Sequence, residues 1–150
     1  MSTYTQILYQ VVFGSKDYTL FLTRVNQEIL YNYIAGILWN KKCHPHLVGG
    51  YSNHIHIVFD LHPAIALSYL VKDIKKASHE MMAREKVSFQ RFSGWQVGFG
   101  AFTYSQSSKS ALIKYVKDQE NHHKKISFKE ELMALYKEQG IEFDEKYLIT

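Results

Sequence analysis

The stretch Asn53-His54-Ile55-His56-Ile57-Val58-Phe59 decides the fold. Its apolar members are β-branched or aromatic, so it reads as a short strand with two unlike faces. Side chains on a strand alternate, which sets His54 and His56 on one face, about 7 Å apart along the chain, and Ile55, Ile57 and Phe59 on the other. Two neutral imidazoles presented in this way can share one metal ion. A His-apolar-His triplet is common in itself, and its meaning depends on what the rest of the chain brings to the same face.

Working outward, Ser52-Asn53 reads as a tight turn, with an antiparallel partner strand before it over about 43–51, broken by Gly49-Gly50. Residues 4–13 are β-branched and aromatic and form a strand closed by Gly14-Ser15. Between these strands, Val25, Ile29, Tyr33, Ile37 and Leu38 recur at helical spacing over about 23–41, with Leu30 and Ile34 widening the stripe. A second amphipathic helix is predicted over about 63–84, carrying Lys72, Lys75 and Lys76 on its wet face, then a strand over 95–104 with Gly98 and Gly100 on one face. Residues 105–110 form a small polar hinge. Helices follow at about 110–124 and 128–139, the last opening with a capping box from Ser127 to Glu130 and closing at Gly140. The order strand, helix, strand, strand, helix, strand, then helices predicts an α+β fold. Its economical form is a ferredoxin-like (RRM-like) antiparallel sheet with helices on one face and a C-terminal helix carrying Tyr115, all in a single domain over 1–150.

The bulk numbers narrow the class. A chain of 150 residues, 46% hydrophobic and 21% charged, can bury a proper core without staples. No apolar run approaches the roughly 18 residues of a membrane span, the N-terminus has no signal-peptide pattern, and the lone Cys43 fits a reducing, cytoplasmic setting. Residues 1–129 carry 16 Lys/Arg against 8 Asp/Glu, whereas residues 130–150 carry 2 against 6. A basic body with an acidic tail accords with a polyanionic partner, and equally with a solvated lysine-rich surface.

The second informative stretch is Tyr115-Val116-Lys117-Asp118-Gln119-Glu120-Asn121-His122-His123. Tyr115 and Gln119 are four apart, so a phenol and an amide project from one helix face. An amide oxygen suits Mg²⁺ or Mn²⁺, and two imidazoles shift the preference toward Mn²⁺. With His54-Ile55-His56, the run Trp95-Gln96-Val97-Gly98-Phe99-Gly100-Ala101-Phe102, the run Lys72-Asp73-Ile74-Lys75-Lys76-Ala77-Ser78, and the ending Ser127-Phe128-Lys129-Glu130-Glu131 through Gly140-Ile141, these motifs cover nearly the whole chain. In that order they resemble the His-hydrophobic-His single-tyrosine transposases of the IS200/IS605 type. The resemblance implies that His54, His56 and Gln119 hold a divalent metal, Mg²⁺ or Mn²⁺, and that Tyr115 is the nucleophile, forming a 5′-phosphotyrosine link and freeing a 3′-hydroxyl. It further implies a homodimer that binds single-stranded DNA hairpins at the ends of a mobile element. Ala111, four residues upstream of Tyr115, excludes a paired-tyrosine arrangement. The family usually places an acidic residue before the first histidine, where this chain has Asn53. Candidate phosphate contacts are Lys72, Lys75, Lys76 and Arg84, with His122 and His123 beside the tyrosine.

The same residues admit other readings. A domesticated, REP-associated type of nickase would keep the chemistry and change its use. A non-catalytic ferredoxin-like nucleic-acid-binding module would need exposed aromatics on the central strands and neither Gln119 nor a metal. An oxygenase or hydrolase built on two histidines and a carboxylate would need Asp60 to join His54 and His56. Cys43-His44-Pro45-His46 lacks the partner pair that a zinc site requires.

Overall fold

The structure, a computed structural model, describes residues 2–148. Four strands, β1 (Leu8–Gly14), β2 (His44–Tyr51), β3 (His54–Asp60) and β4 (Gly100–Tyr104), form one antiparallel sheet in the order β2-β3-β1-β4. This is the ferredoxin-like arrangement expected from the sequence. Helix α1 (Gln27–Asn40) crosses from β1 to β2, and α2 (Leu67–Arg84) crosses from β3 to β4.

The register explains the two faces. Val11 stands opposite Ile57 and Phe13 opposite Ile55, and with Phe59 they join the buried stripes of α1 (Leu30, Ile34, Leu38) and α2 (Leu70, Val71, Ile74) in the main core. Leu8, Gln10 and Val12, opposite Asp60, Val58 and His56, point the other way. That second face is not open: it is covered by α3 (Lys109–Lys117), the short α4 (Gln119–His122) and α5 (Phe128–Glu138). The sequence pattern predicts helices on one face, which holds for α1 and α2. The tyrosine-bearing C-terminal segment seals the opposite one because it has its own apolar stripes, Leu112 and Val116 in α3 and Phe128, Leu132 and Leu135 in α5.

Two glycines permit this closure. A Cβ on Gly49 would stand 2.9 Å from Val116, and one on Gly14 would stand 2.6 Å from the Phe128 ring, so both helices sit against bare backbone. Gly49 and Gly50 therefore do not break β2, which runs through them.

Boundaries differ from the sequence expectation at several places. β1 starts at Leu8, and α1 starts at Gln27 after a Thr23–Asn26 turn in which each side chain bonds the other's backbone N–H. The strand expected over 95–104 is reduced to β4, with Trp95 making a single bridge to Ser15, because Gly98 adopts φ +84°. The expected hinge over 105–110 contains a 3₁₀ turn, Gln106–Ser108, pinned by the Ser105 hydroxyl to those of Ser107 and Ser108. The single helix expected over 110–124 breaks at Asp118, whose side chain accepts from Asn121. The capping box of Ser127 and Glu130 forms as expected, and Gly140 closes α5 with φ +69°. No helix among the described residues is long and apolar enough to cross a membrane.

Candidate active site

His54 and His56 sit on the second sheet face and are fully buried, their rings 5.2 Å apart. Neighbouring amides fix their orientation. Asn53 Nδ2 donates to the Tyr18 carbonyl, which leaves Asn53 Oδ1 to accept from His54 Nδ1 at 2.9 Å. Gln10 Nε2 donates to the Tyr104 hydroxyl, which leaves Gln10 Oε1 to accept from His56 Nδ1 at 2.6 Å. Assigned from this network, both imidazoles carry their proton on Nδ1 and turn a bare Nε2 inward. Asn53 thus serves in the place where the family's acidic residue would stand.

Glu131 meets them from the first turn of α5, with 1% of its side chain exposed. Its Oε1 lies 3.3 Å from Nε2 of each histidine. The ligand atoms of His54, His56 and Glu131 all lie within 4.8 Å of one another. Gln119 completes the wall: its Nε2 donates to Glu131 Oε2 at 2.8 Å, which turns its Oε1 toward His54 Nε2, also at 2.8 Å. His123, whose Nδ1 donates to the Ile126 carbonyl, directs Nε2 at Gln119 Oε1 (2.9 Å) and Glu131 Oε1 (3.0 Å).

Five electron-pair donors (three imidazole nitrogens, an amide oxygen and a carboxylate oxygen) therefore converge in a buried space. Such a set repels itself unless positive charge lies among it, as protons or as a cation. Burial answers part of this, because it lowers the His54 pKa to about 4 despite the Glu131 carboxylate, so His54 is neutral at pH 7. Burial alone would raise Glu131. The imidazoles of His123, His54 and His56 around it, which take up a proton before the carboxylate does and then donate to it, outweigh burial and hold the carboxyl well below the usual range, so Glu131 is an anion. A divalent cation fits this donor set: two nitrogens from alternate strand positions, one carboxylate and one amide oxygen, with both histidines braced by second partners.

Tyr115 lies at the rim. Its hydroxyl donates to Glu131 Oε2 and stands 3.5 Å from His122 Nε2, and its ring packs edge-on to His56. Burial, and then the Glu131 charge, raise the phenol well above its ordinary value, so it is protonated. Tyr115 and Gln119 thus share one face despite the break at Asp118, since both bond the same carboxylate oxygen.

The structure brings together His54, His56, Tyr115, Gln119, His122 and His123, all from the sequence expectation. The other predicted DNA contacts lie elsewhere: Lys72, Lys76 and Arg84 are exposed on α2, while Lys75 folds inward, its Nζ donating to the carbonyls of Gln96 (2.9 Å) and Gly98. Asp60 pairs with His46 at 3.0 Å and takes no part, so the triad through Asp60 does not form. Sequence reasoning missed Glu131. The signal was present: Phe128, Glu131, Leu132 and Leu135 follow i, i+3, i+4, i+7, so Glu131 is a charge on a core stripe.

Fold and site define a ferredoxin-like sheet protein whose tyrosine, histidine pair and carboxylate share one buried centre. Comparison with known families agrees: residues 3–119 match the family model described as IS200-like transposase. The chain belongs to that family of transposases. Two solved structures share its fold. One is a candidate transposase from Deinococcus radiodurans R1, 15% identical, with a TM-score of 0.61 over 79% of this chain and 95% of the other. The second is a REP-associated tyrosine transposase bound to a REP hairpin, 14% identical, with a TM-score of 0.60 over 82% of this chain and 74% of the other. A search of curated proteins found no match.

Proposed function

We propose that this chain is a metal-dependent single-strand DNA transposase that cuts and rejoins DNA at element ends through a covalent 5′-phosphotyrosine on Tyr115. The observation that carries the reading is the meeting of Tyr115, His54, His56 and Gln119 around the Glu131 carboxylate. The metal ligands are His54, His56 and Glu131, with the Gln119 amide oxygen beside them, and the ion is Mg²⁺ or Mn²⁺. When bound, the ion supplies Lewis-acid polarisation of the scissile phosphate and offsets the charge that builds on its oxygens.

The chain's own residues do the remainder. Tyr115 Oη forms the bond to phosphorus as the P–O3′ bond breaks, and its proton is held by Glu131 Oε2, the atom to which it already donates. Asn53 and Gln10 keep the histidine lone pairs aimed inward. The covalent link conserves the phosphodiester bond energy, so an incoming 3′-hydroxyl can reseal the strand without ATP. Tyr115 reaches the histidine pair of its own chain, so each subunit of the homodimer that the family likeness implies would hold a complete centre. Hairpin DNA as substrate is supported by the neighbour solved with a REP hairpin.

The test is a denaturing gel of purified protein with labelled single-stranded DNA from element ends, with Mn²⁺ or with chelator, beside the Tyr115→Phe variant. An adduct that survives denaturation, requires metal and is lost in Tyr115→Phe is the expected result. Hairpin binding with no nick or adduct under any metal would leave a non-catalytic binding module as the better reading.

A further inference from the structure

A groove of about 640 Å³ lies outside the catalytic cluster, between the outer side of α2 and residues 95–99. That volume is in the range of ligand-sized clefts. Its helical wall carries Lys72, Lys75 and Lys76, spaced i, i+3, i+4 and so on one face. Glu80 is the acid among the lining residues, so the groove is net positive. Lys75 is not free to meet a ligand. It clamps the opposite wall through the carbonyls of Gln96 and Gly98 and lies 5.0 Å over the Phe13 ring. Lys72 and Lys76 are exposed, and neither forms an ion pair among the described residues. The loop wall offers apolar surface held out to solvent, with Val97 87% and Phe99 37% exposed. Trp95 stays tied back through Nε1 to Ser78 Oγ at 3.0 Å. Cationic side chains facing an exposed aromatic and an aliphatic side chain are the surface that unpaired nucleotides use, phosphate on one wall and base on the other.

The place of the groove also matters. The Gln96 side chain accepts from the Gly14 backbone N–H, and Gly14 pairs with His54 across the sheet. The groove therefore flanks the end of the sheet where the histidine pair begins.

We infer that this groove binds an unpaired nucleotide of single-stranded DNA, its base against Phe99 and Val97 and its phosphates on Lys72 and Lys76. This rests on the reading that single-stranded DNA is the substrate, and it adds a docking point apart from the catalytic cluster.

The test reads binding with chemistry switched off. Fluorescence anisotropy of a labelled 12-nucleotide single strand is followed in EDTA across a salt series, using the full chain. Lys72→Ala/Lys76→Ala should weaken binding about tenfold or more and reduce the slope of log affinity against log salt by about 1.4, roughly 0.7 for each phosphate that the variant no longer neutralises. Phe99→Ala should weaken binding by roughly tenfold and leave the slope unchanged, because stacking carries no counterion release. All three side chains are exposed, so far-UV circular dichroism and Tm should match the parent chain. A duplex of the same sequence should compete poorly. Unchanged affinity in both variants, or equal competition by duplex, overturns the groove assignment. The cleavage gel still decides the catalytic reading: an active enzyme with unaffected variants means the groove is wrong, and binding variants in an inactive chain mean the catalysis is wrong.

Discussion

The two faces of one sheet, made by alternate residues of the same strands, do different work. On the α1/α2 face, Val11, Phe13, Ile55, Ile57 and Phe59 are apolar and buried without a polar interruption. On the α3–α5 face, the intervening residues include Gln10, His54 and His56, just as buried but each held by hydrogen bonds, His54 through Asn53 and His56 through Gln10. The first face uses burial to stabilise the fold. The second accepts desolvated lone pairs that repel one another, a cost that protons or a bound cation would offset. Substitutions should therefore separate: on one face they reduce stability, and on the other they reduce function.

The largest expected effect is on function. Glu131→Gln keeps the size and the hydrogen bonds to Tyr115 and Gln119 but removes the charge and the proton acceptor. Adduct formation should fall by at least about a hundredfold, in line with the loss of a positioned base. In EDTA the variant should unfold no earlier than the parent, because an amide can donate to the bare imidazole nitrogens that a carboxylate repels. Single-turnover gels and chemical denaturation check the two halves. A variant that kept its activity would remove Glu131 from the centre.

On the opposite face, Ile57→Ala should cost about 3 kcal/mol of stability, the usual range for a truncated and fully buried isoleucine, read as a shift in denaturation midpoint at unchanged m-value. Residual activity per folded molecule should be close to that of the parent. A loss of turnover larger than the loss of folded protein would mean the faces are mechanically coupled through β3.

The contrast also marks what the sequence could disclose. Alternation in residues 53–59 was readable because a strand has period two, and the Ser52-Asn53 turn fixed its partner. Four-residue spacing was enough to join Tyr115 to Gln119. The second cover of helices was harder to read: the apolar stripes of α3 and α5 are short, and a stripe shows that a helix is seated, not on which face of a sheet. Glu131 was hidden by its neighbour. Glu130 satisfies the capping box, so two consecutive acids looked like ordinary first-turn residues favoured by the helix dipole. Only the stripe through Phe128, Leu132 and Leu135 distinguishes the inward acid from the outward one. The break at Asp118, which returns His123 to the site, has no glycine or proline to announce it.

The smallest expected effect concerns pH, and it tests the lone-pair argument directly. His54 has a pKa of about 4 in the folded chain, lowered by burial, against about 6.5 when unfolded. Between these values the unfolded chain binds the extra proton, so stability rises with pH, is fully present above about 6.5 and is lost as pH falls toward 4. Glu131, lowered in the fold, acts in the same direction, but only as pH drops through the ordinary carboxylate range and below. The window from pH 6.5 to 5 therefore separates the His54 contribution from that of Glu131. In EDTA, going from pH 7 to 5 should cost about 2 kcal/mol, from 1.5 pH units at about 1.36 kcal/mol each. His54→Gln should flatten that slope, since an amide fills the space without titrating. Saturating Mn²⁺ should steepen it, because the ion binds the deprotonated nitrogens and must then compete with protons. A metal-free protein whose stability is level from pH 7 to 5 would mean that His54 carries its charge in the fold, and that the converging donors are satisfied by protons rather than waiting for a cation.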